Sequence, residues 1–367
     1  MGDAQVAAAG MLFGEAILLI VFAWLPVMRG ARAFFGVRVA ADAYRGEGRR
    51  VLRRYRLTLF AIVGASAALG YYAAARAGQP LFCALATVAA SAAAFAAYGG
   101  YARRVRPLAV RGEQTRFASP LAERRLADHT RAWVEVVTAL LVFATAAALA
   151  HYYPRMPARV PTHWDAAGAA DAWARKSFTS IFFLPVLGAY LQLFFFVLKR
   201  DLARAKMTLP AERAEEYLRG KEKFLRANMS ALDLVRVSVA ALFFGISLLL
   251  LSTALPELGR LTRAANAFTL AVVAAMTAGV AYFVWRMAAV NAETGRLAGD
   301  DYAQRAGDEG HWRHGGLTYY NPEDSALVVE KLVGLGYTIN MAHPGARRRL
   351  MLLAPVPLFV VWAVVAL

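Results

Sequence analysis

The chain has 367 residues, 59% of them hydrophobic and 18% charged, with a formal net charge of +17. A soluble domain of this length cannot hide so much apolar surface, so an ordinary water-soluble fold is excluded. The lone cysteine, Cys83, excludes an intramolecular disulfide and a Cys-based metal centre.

Eight apolar runs of about 20 residues recur along the chain, the length a helix needs to cross a bilayer's hydrocarbon core. They fall near residues 8–28, 57–77, 80–101, 131–151, 178–198, 234–256, 265–287 and 350–367. The predicted fold class is an all-α polytopic membrane protein with about eight transmembrane helices. A small cytoplasmic insert carries short strands. The opening residues, Met1-Gly2-Asp3-Ala4-Gln5, lack the basic flank of a cleaved signal peptide.

Basic residues set the orientation. Of the 42 Lys and Arg, 35 lie in residues 29–56, 102–131, 199–236 and 286–349, all on one side of an eight-crossing path. Loops rich in Lys and Arg stay cytoplasmic, so both termini are expected outside and the 286–349 segment inside. The clusters, such as Arg49, Arg50, Arg53, Arg54 and Arg56, abut spans. Their expected partners are the bilayer and its anionic headgroups at the cytoplasmic face, rather than nucleic acid.

This divides the chain linearly. Residues 1–130 form a three-span region with basic loops, and 131–200 a two-span domain around an outer loop, 152–176. Residues 201–291 hold a cytoplasmic loop with spans six and seven, 292–348 a small cytoplasmic domain, and 349–367 the last span.

Within the bilayer, the Ala- and Gly-rich third span is expected to be central, since small residues let helices approach closely. The fifth span carries Phe182, Phe183, Phe194, Phe195 and Phe196, which suit lipid. Glu135, Arg236 and Arg286 sit near cytoplasmic ends, where long side chains snorkel. Glu15 lies about two turns inside the first span. A carboxyl there calls for protonation, a partner or water, and reads as a structural hydrogen bond or a proton or ion relay. Pro185, Pro355 and Pro357 interrupt spans at non-corresponding places and mark no repeat.

The outer loop reads YYPRMPARVPTHWDAAGAADAWARK. Its prolines keep it extended, Gly168 supplies a bend, and Trp164 and Trp173 suit the membrane interface. The sequence predicts an ordered cap in which His163 bonds to the turn at 166–169. His163, Asp165, Asp171 and His151 are of metal-ligand type, but no helical i, i+4 pair holds them, so no metal is assigned.

Met156, Pro157, Val160, Pro161, Thr162, His163, Trp164, Gly168, Asp171, Trp173 and Lys176 follow the pattern L-P-x-x-V-P-T-H-[FW]-x-x-x-G-x-x-D-x-[WF]-x-x-K, with Met156 in place of Leu. By this pattern, residues 135–200 resemble the SdpI-type family of bacterial membrane proteins, which includes toxin-immunity proteins. The resemblance implies residence in the bacterial cytoplasmic (inner) membrane. It also implies an outer ligand-binding surface of Pro161, Thr162, His163, Trp164, Asp165, Gly168, Asp171, Trp173 and Lys176, which would meet a peptide toxin. Residues 312–346 resemble a small uncharacterised domain that accompanies it, through Tyr320, Asn321, Pro322, Asp324, Val329, Gly334, Gly336, Tyr337, Asn340 and Pro344. Asn321-Pro322-Glu323-Asp324 reads as a turn, and 326–331 and 336–341 have strand-like composition. A soluble regulator inside, or the inner leaflet, is the partner implied for this domain. FFGVRV, residues 34–39, resembles an FG-x-R element of such proteins' cytoplasmic loops.

No P-loop, G-x-G-x-x-G, G-x-S-x-G or H-E-x-x-H occurs. No catalytic residue and no cofactor are assigned, and the chain is expected not to be an enzyme. A small-solute or ion transporter using Glu15 is the alternative.

Overall fold

The computed structural model describes residues 3–28, 34–37, 39–77, 81–110, 117–118, 126–165, 168–207, 209–210, 214–297, 310–332, 336–353 and 355. Long helices dominate: α1 (Asp3–Trp24), α3 (Arg49–Ala77), α4 (Leu81–Val105), α5 (Ala132–Tyr152), α6 (Phe178–Ala203), α7 (Ala214–Ala254) and α8 (Thr262–Leu297). Among the described residues, six helical stretches, built on α3 to α8 and the short turns that adjoin them, are long and apolar enough to cross a membrane. α1 contributes a shorter apolar stretch, Gly14–Val27. Most of the eighth predicted span, with Pro357, lies outside the described residues. Leu57 and Phe60 of α3, Phe143 of α5 and Trp285 of α8 all stand exposed. Apolar side chains on the outside of apolar helices are what lipid, not water, solvates.

The chain divides into two compact units, residues 1–120 with 205–217 and 295–348, and residues 121–204 with 218–294 and 349–367.

In the first unit α1, α3 and α4 pack mutually; α4, with Leu85 and Val88 exposed, is no more central there than its two neighbours. A buried seam of Met11, Ala74 and Cys83 closes one end. At the other, Phe34 and Phe35 are fully buried among Tyr55, Leu59, Ala94 and Tyr98. Their rings meet edge-on, with Phe34–Phe35 centroids 4.9 Å and Phe35–Tyr55 centroids 5.1 Å apart. The chain reaches α3 through a helical turn, α2 (Ala41–Ala43), and a π turn, Tyr44–Gly48. Short strands complete the unit: β1 (Phe117–Ala118) with β4 (Leu209–Pro210), β5 (Trp312–Arg313) with β6 (Thr318–Tyr319), and β7 (Val328–Glu330) with β8 (Tyr337–Ile339), all antiparallel. A parallel bridge Tyr319–Asn340 ties the last two pairs together, and a second, Lys206–Val329, ties the segment after α6 to β7, over a core of Trp312, Tyr319, Val329 and Leu332. Both predicted strand segments, 326–331 and 336–341, therefore contain a strand.

In the second unit α5 and α6 pack together, joined by a hairpin of β2 (Arg159–Trp164) and β3 (Ala170–Arg175). A core of Leu149, Met156, Val160, Ile181, Leu250, Leu251, Ala254 and Leu255 seats it on the helices. A capping box starts α6 sharply: Ser177 Oγ accepts from Ser180 N–H at 3.0 Å, and Ser180 Oγ accepts from Ser177 N–H at 2.9 Å. α9 (Pro344–Leu353) ends the described chain, with Arg349 Nη2 donating to Asp201 Oδ1 of α6 at 2.9 Å.

Two sequence expectations need correction. Phe182 is not turned to lipid: it packs on the second unit's core and stacks on Phe178 at 4.8 Å. Of the five phenylalanines, Phe196 alone is exposed and the other four are half-buried. Nor does Arg236 snorkel. It is 2% exposed, and its Nη1 and Nη2 donate to Glu135 Oε1 and Oε2 at 2.6 and 2.5 Å. In hydrocarbon a paired, bidentate charge costs far less than a lone one. Arg286 does run along its own helix, donating to Tyr282 Oη at 3.2 Å.

Candidate functional site

The hairpin owes its shape to local chemistry. Asp165 closes the turn: its Oδ1 accepts from Ala169 N–H at 2.9 Å, its own N–H donates to Ala169 O at 2.9 Å, and its O accepts from Gly168 N–H at 3.0 Å. Gly168 has φ +83°, and a Cβ there would lie 3.0 Å from Asn266. Ala166 and Ala167 lie outside the described residues.

Alternation then sorts the strands into two faces. Val160 is fully buried and Pro161 buried, with Trp164 half-buried and its Nε1–H donating to Thr253 Oγ1 at 3.0 Å. Arg159, His163, Asp171, Trp173 and Arg175 are exposed. Thr162 is half-buried, and its hydroxyl has no partner among the described residues. Lys176 is held at the base, with Nζ donating to Met156 O at 3.1 Å and lying 4.6 Å from the Tyr153 ring centroid.

His163 does not bond to the turn. Its partner is Asp171 across the hairpin, Nδ1 to Oδ1 at 2.6 Å. This arrangement places the hydrogen of the neutral ring on Nδ1 and the lone pair on Nε2. Asp165 is engaged elsewhere, and no group of three His, Cys, Asp or Glu side chains converges among the described residues. Because the pair is exposed, His163→Ala should cost less than about 1 kcal/mol, read as thermal melting in detergent. A loss above about 2 kcal/mol would contradict this placement.

Glu15, in the first unit, is 1% exposed. Its Oε1 accepts from Ser66 Oγ at 2.6 Å, while Ser66 Oγ also lies 2.9 Å from Ala86 O. Its Oε2 is buried without a hydrogen-bond partner among the described residues.

The 310–348 segment is organised by Asn340, which is fully buried. Its Nδ2 donates to Asn321 O at 2.8 Å and Asp324 O at 3.0 Å, and its Oδ1 accepts from Asn321 N–H at 3.0 Å. Asn321 Oδ1 accepts from Glu323 N–H at 3.0 Å, forming the predicted turn with Pro322 exposed at its tip. Asp324 receives Lys206 Nζ at 3.0 Å, Tyr319 Oη at 3.1 Å and Ala326 N–H at 3.0 Å. Gly336 has φ +89°, and its O accepts from Lys331 N–H at 3.1 Å. Gly334 lies outside the described residues, as does Arg38 of the FG-x-R element. These motif side chains are pins between strands and turns.

Burial alone would raise the Asp324 carboxyl, but the hydrogen bonds from Ala326, Lys206 and Tyr319 outweigh it and hold it below the ordinary 3.8. Since the folded pKa is the lower one, the stabilisation is complete above 3.8 and fades as pH falls through the folded value. Trp312 fluorescence during acid unfolding should report this, and Asp324→Asn should flatten the acid limb. An unchanged acid limb in the variant would contradict it.

Sequence reasoning missed three features. Lys199 and Asp233, 1% and 6% exposed, form an ion pair at 2.5 Å between α6 and α7. Gln192 links the Glu135–Arg236 pair, its Oε1 accepting from Arg236 Nε at 3.1 Å. Arg159 and Arg175 are cross-strand neighbours. Only the first had a usable signal, a charge of each sign near facing span ends.

Fold and surface define a multi-pass helical membrane protein with a small hairpin between α5 and α6. Residues 140–189 match a domain of unknown function, DUF1648, which covers most of α5, the hairpin and the start of α6. Residues 322–347 match a family of unknown function, DUF5808, from the Asn321–Asp324 turn into α9. No curated protein and no solved structure matches the chain.

Proposed function

We propose that this is a non-enzymatic, eight-span protein of the bacterial cytoplasmic membrane, of the SdpI type, with both termini outside. In this reading the hairpin faces outward and binds a ligand such as a membrane-active peptide, protecting the cell. The 310–348 domain faces a soluble partner or the inner leaflet. The observation that carries the reading is the hairpin itself. Trp164 and Val160 anchor it to the helices, while His163, Asp171 and Trp173 are held outward, a built surface rather than a slack connection. A strain lacking the gene, challenged with a broad panel of membrane-active peptides, should be more sensitive to at least one class. Unchanged sensitivity across the panel would remove the protective role.

Glu15 favours a second reading, a solute or ion path through the first unit, because a buried carboxyl oxygen without a partner among the described residues can accept a proton or cation. Proteoliposome flux abolished by Glu15→Gln supports it, and absence of flux under any gradient removes it.

A further inference from the structure

The base of the hairpin opens into a cleft of about 880 Å3 lined by Met156, Ala158, Arg159, Trp173, Arg175 and Lys176. We propose that this cleft binds a phosphate-bearing anion. The proposal rests on the ligand-facing reading of the hairpin and gives that ligand a chemistry.

Among the described residues that line it, Arg159, Arg175 and Lys176 are cations and none is acidic. Arg159 and Arg175 stand directly opposite each other in the strand register. Like charges so placed oppose strand pairing, yet neither has a carboxylate partner among the described residues. The hairpin's own carboxylates are engaged elsewhere, Asp171 with His163 and Asp165 in the turn. Lys176 adds a third cation, tethered by Met156 O and the Tyr153 ring, again with no carboxylate. An anion in the cleft would turn this repulsion into attraction. Guanidinium forks match phosphate oxygens in pairs, and a lysine serves them as a point charge. Trp173, 43% exposed beside Met156, offers an apolar wall for whatever carries the phosphate. A lipid headgroup and a soluble phosphate ester present the same chemistry.

The test uses the full chain in neutral maltoside detergent, titrated with dihexanoyl phosphatidylglycerol and, separately, with inorganic pyrophosphate. Dihexanoyl phosphatidylcholine is the zwitterionic control. Tryptophan fluorescence reads binding, and a ligand-dependent rise in melting temperature confirms it. Saturable binding is expected, weakened about tenfold or more by Arg159→Gln/Arg175→Gln and largely kept by Arg159→Lys/Arg175→Lys. Binding of the lipid probe alone assigns the phosphate to a headgroup, and binding of pyrophosphate alone assigns it to a soluble ester. No saturable binding of either, or equal binding by the Gln pair, overturns the proposal. Should the Gln pair melt early, wild-type binding that is indifferent to salt overturns it equally. Peptide protection lost in His163→Ala cells despite absent anion binding would sink this inference alone. Anion binding alongside unaltered peptide sensitivity of the deletion strain would sink the protective role alone.

Discussion

Replacing Arg236 by Ala is expected to cost about 3–5 kcal/mol, the scale at which one partner of a buried ion pair is removed and the other stranded. Arg236 lies 2% exposed where α7 meets α5 and α6, and its loss would leave the Glu135 carboxylate, 32% exposed, and Gln192 Oε1 without their guanidinium donor, while Gln192 Nε2 keeps its bond to the backbone oxygen of residue 236. The pair itself is not worth that much. Arg236→Met combined with Glu135→Leu should recover most of the stability, because matched apolar residues avoid the burial of charge. Melting of the two variants in detergent decides the matter. An Arg236→Ala protein that melts like wild type would contradict the packing described for the second unit.

Gly36→Ala should be nearly as damaging, for a steric rather than an electrostatic reason. Gly36 has φ +85°, and a Cβ would sit 2.4 Å from Gly315 O and 2.9 Å from Gly316 N. Both neighbours are backbone and cannot rotate away. The left-handed conformation costs about 1–2 kcal/mol for alanine, and overpacking adds about 1–3 kcal/mol. The surroundings are already strained, since Phe35 (φ +47°) and His314 (φ +51°) take positive φ without being glycine. Tyr98 Oη also donates to Gly315 O at 3.1 Å. Gly64→Ala, with open space around its position, is the control expected to melt no lower than wild type. Equal melting of Gly36→Ala and Gly64→Ala would show that the two turns are not in contact.

Helix positions were legible because span length and apolar run length are the same quantity seen twice. The turn at Asn321–Asp324 and the strands after it were legible through turn residues and β-branched composition. His163 shows where that legibility ended. A loop rich in bonding groups offers several local partners, and only the strand register, with shifts at Pro161/His163 and His163/Trp164, decides that Asp171 is reached. Arg236 and Lys199 were opaque for a different reason. A cation near a span end looks the same whether it snorkels to water or meets a carboxylate on another helix. The meeting of Gly36 with Gly315 had no periodic signal, because close backbone approach depends on two distant turns. His314, exposed at the surface, lies 2.8 Å from Thr318 Oγ1 in that same turn.

The most direct test of the central claim, a ligand-facing hairpin on the outer side of a membrane protein, is sidedness. In a Cys83→Ala background, single cysteines at Ala169 and at Ser325, both exposed, are treated with an impermeant thiol reagent. The cysteine at 169 is expected to react in intact cells, and the one at 325 only after permeabilisation. Reaction of the cysteine at 325 in intact cells, with 169 protected until lysis, would contradict it.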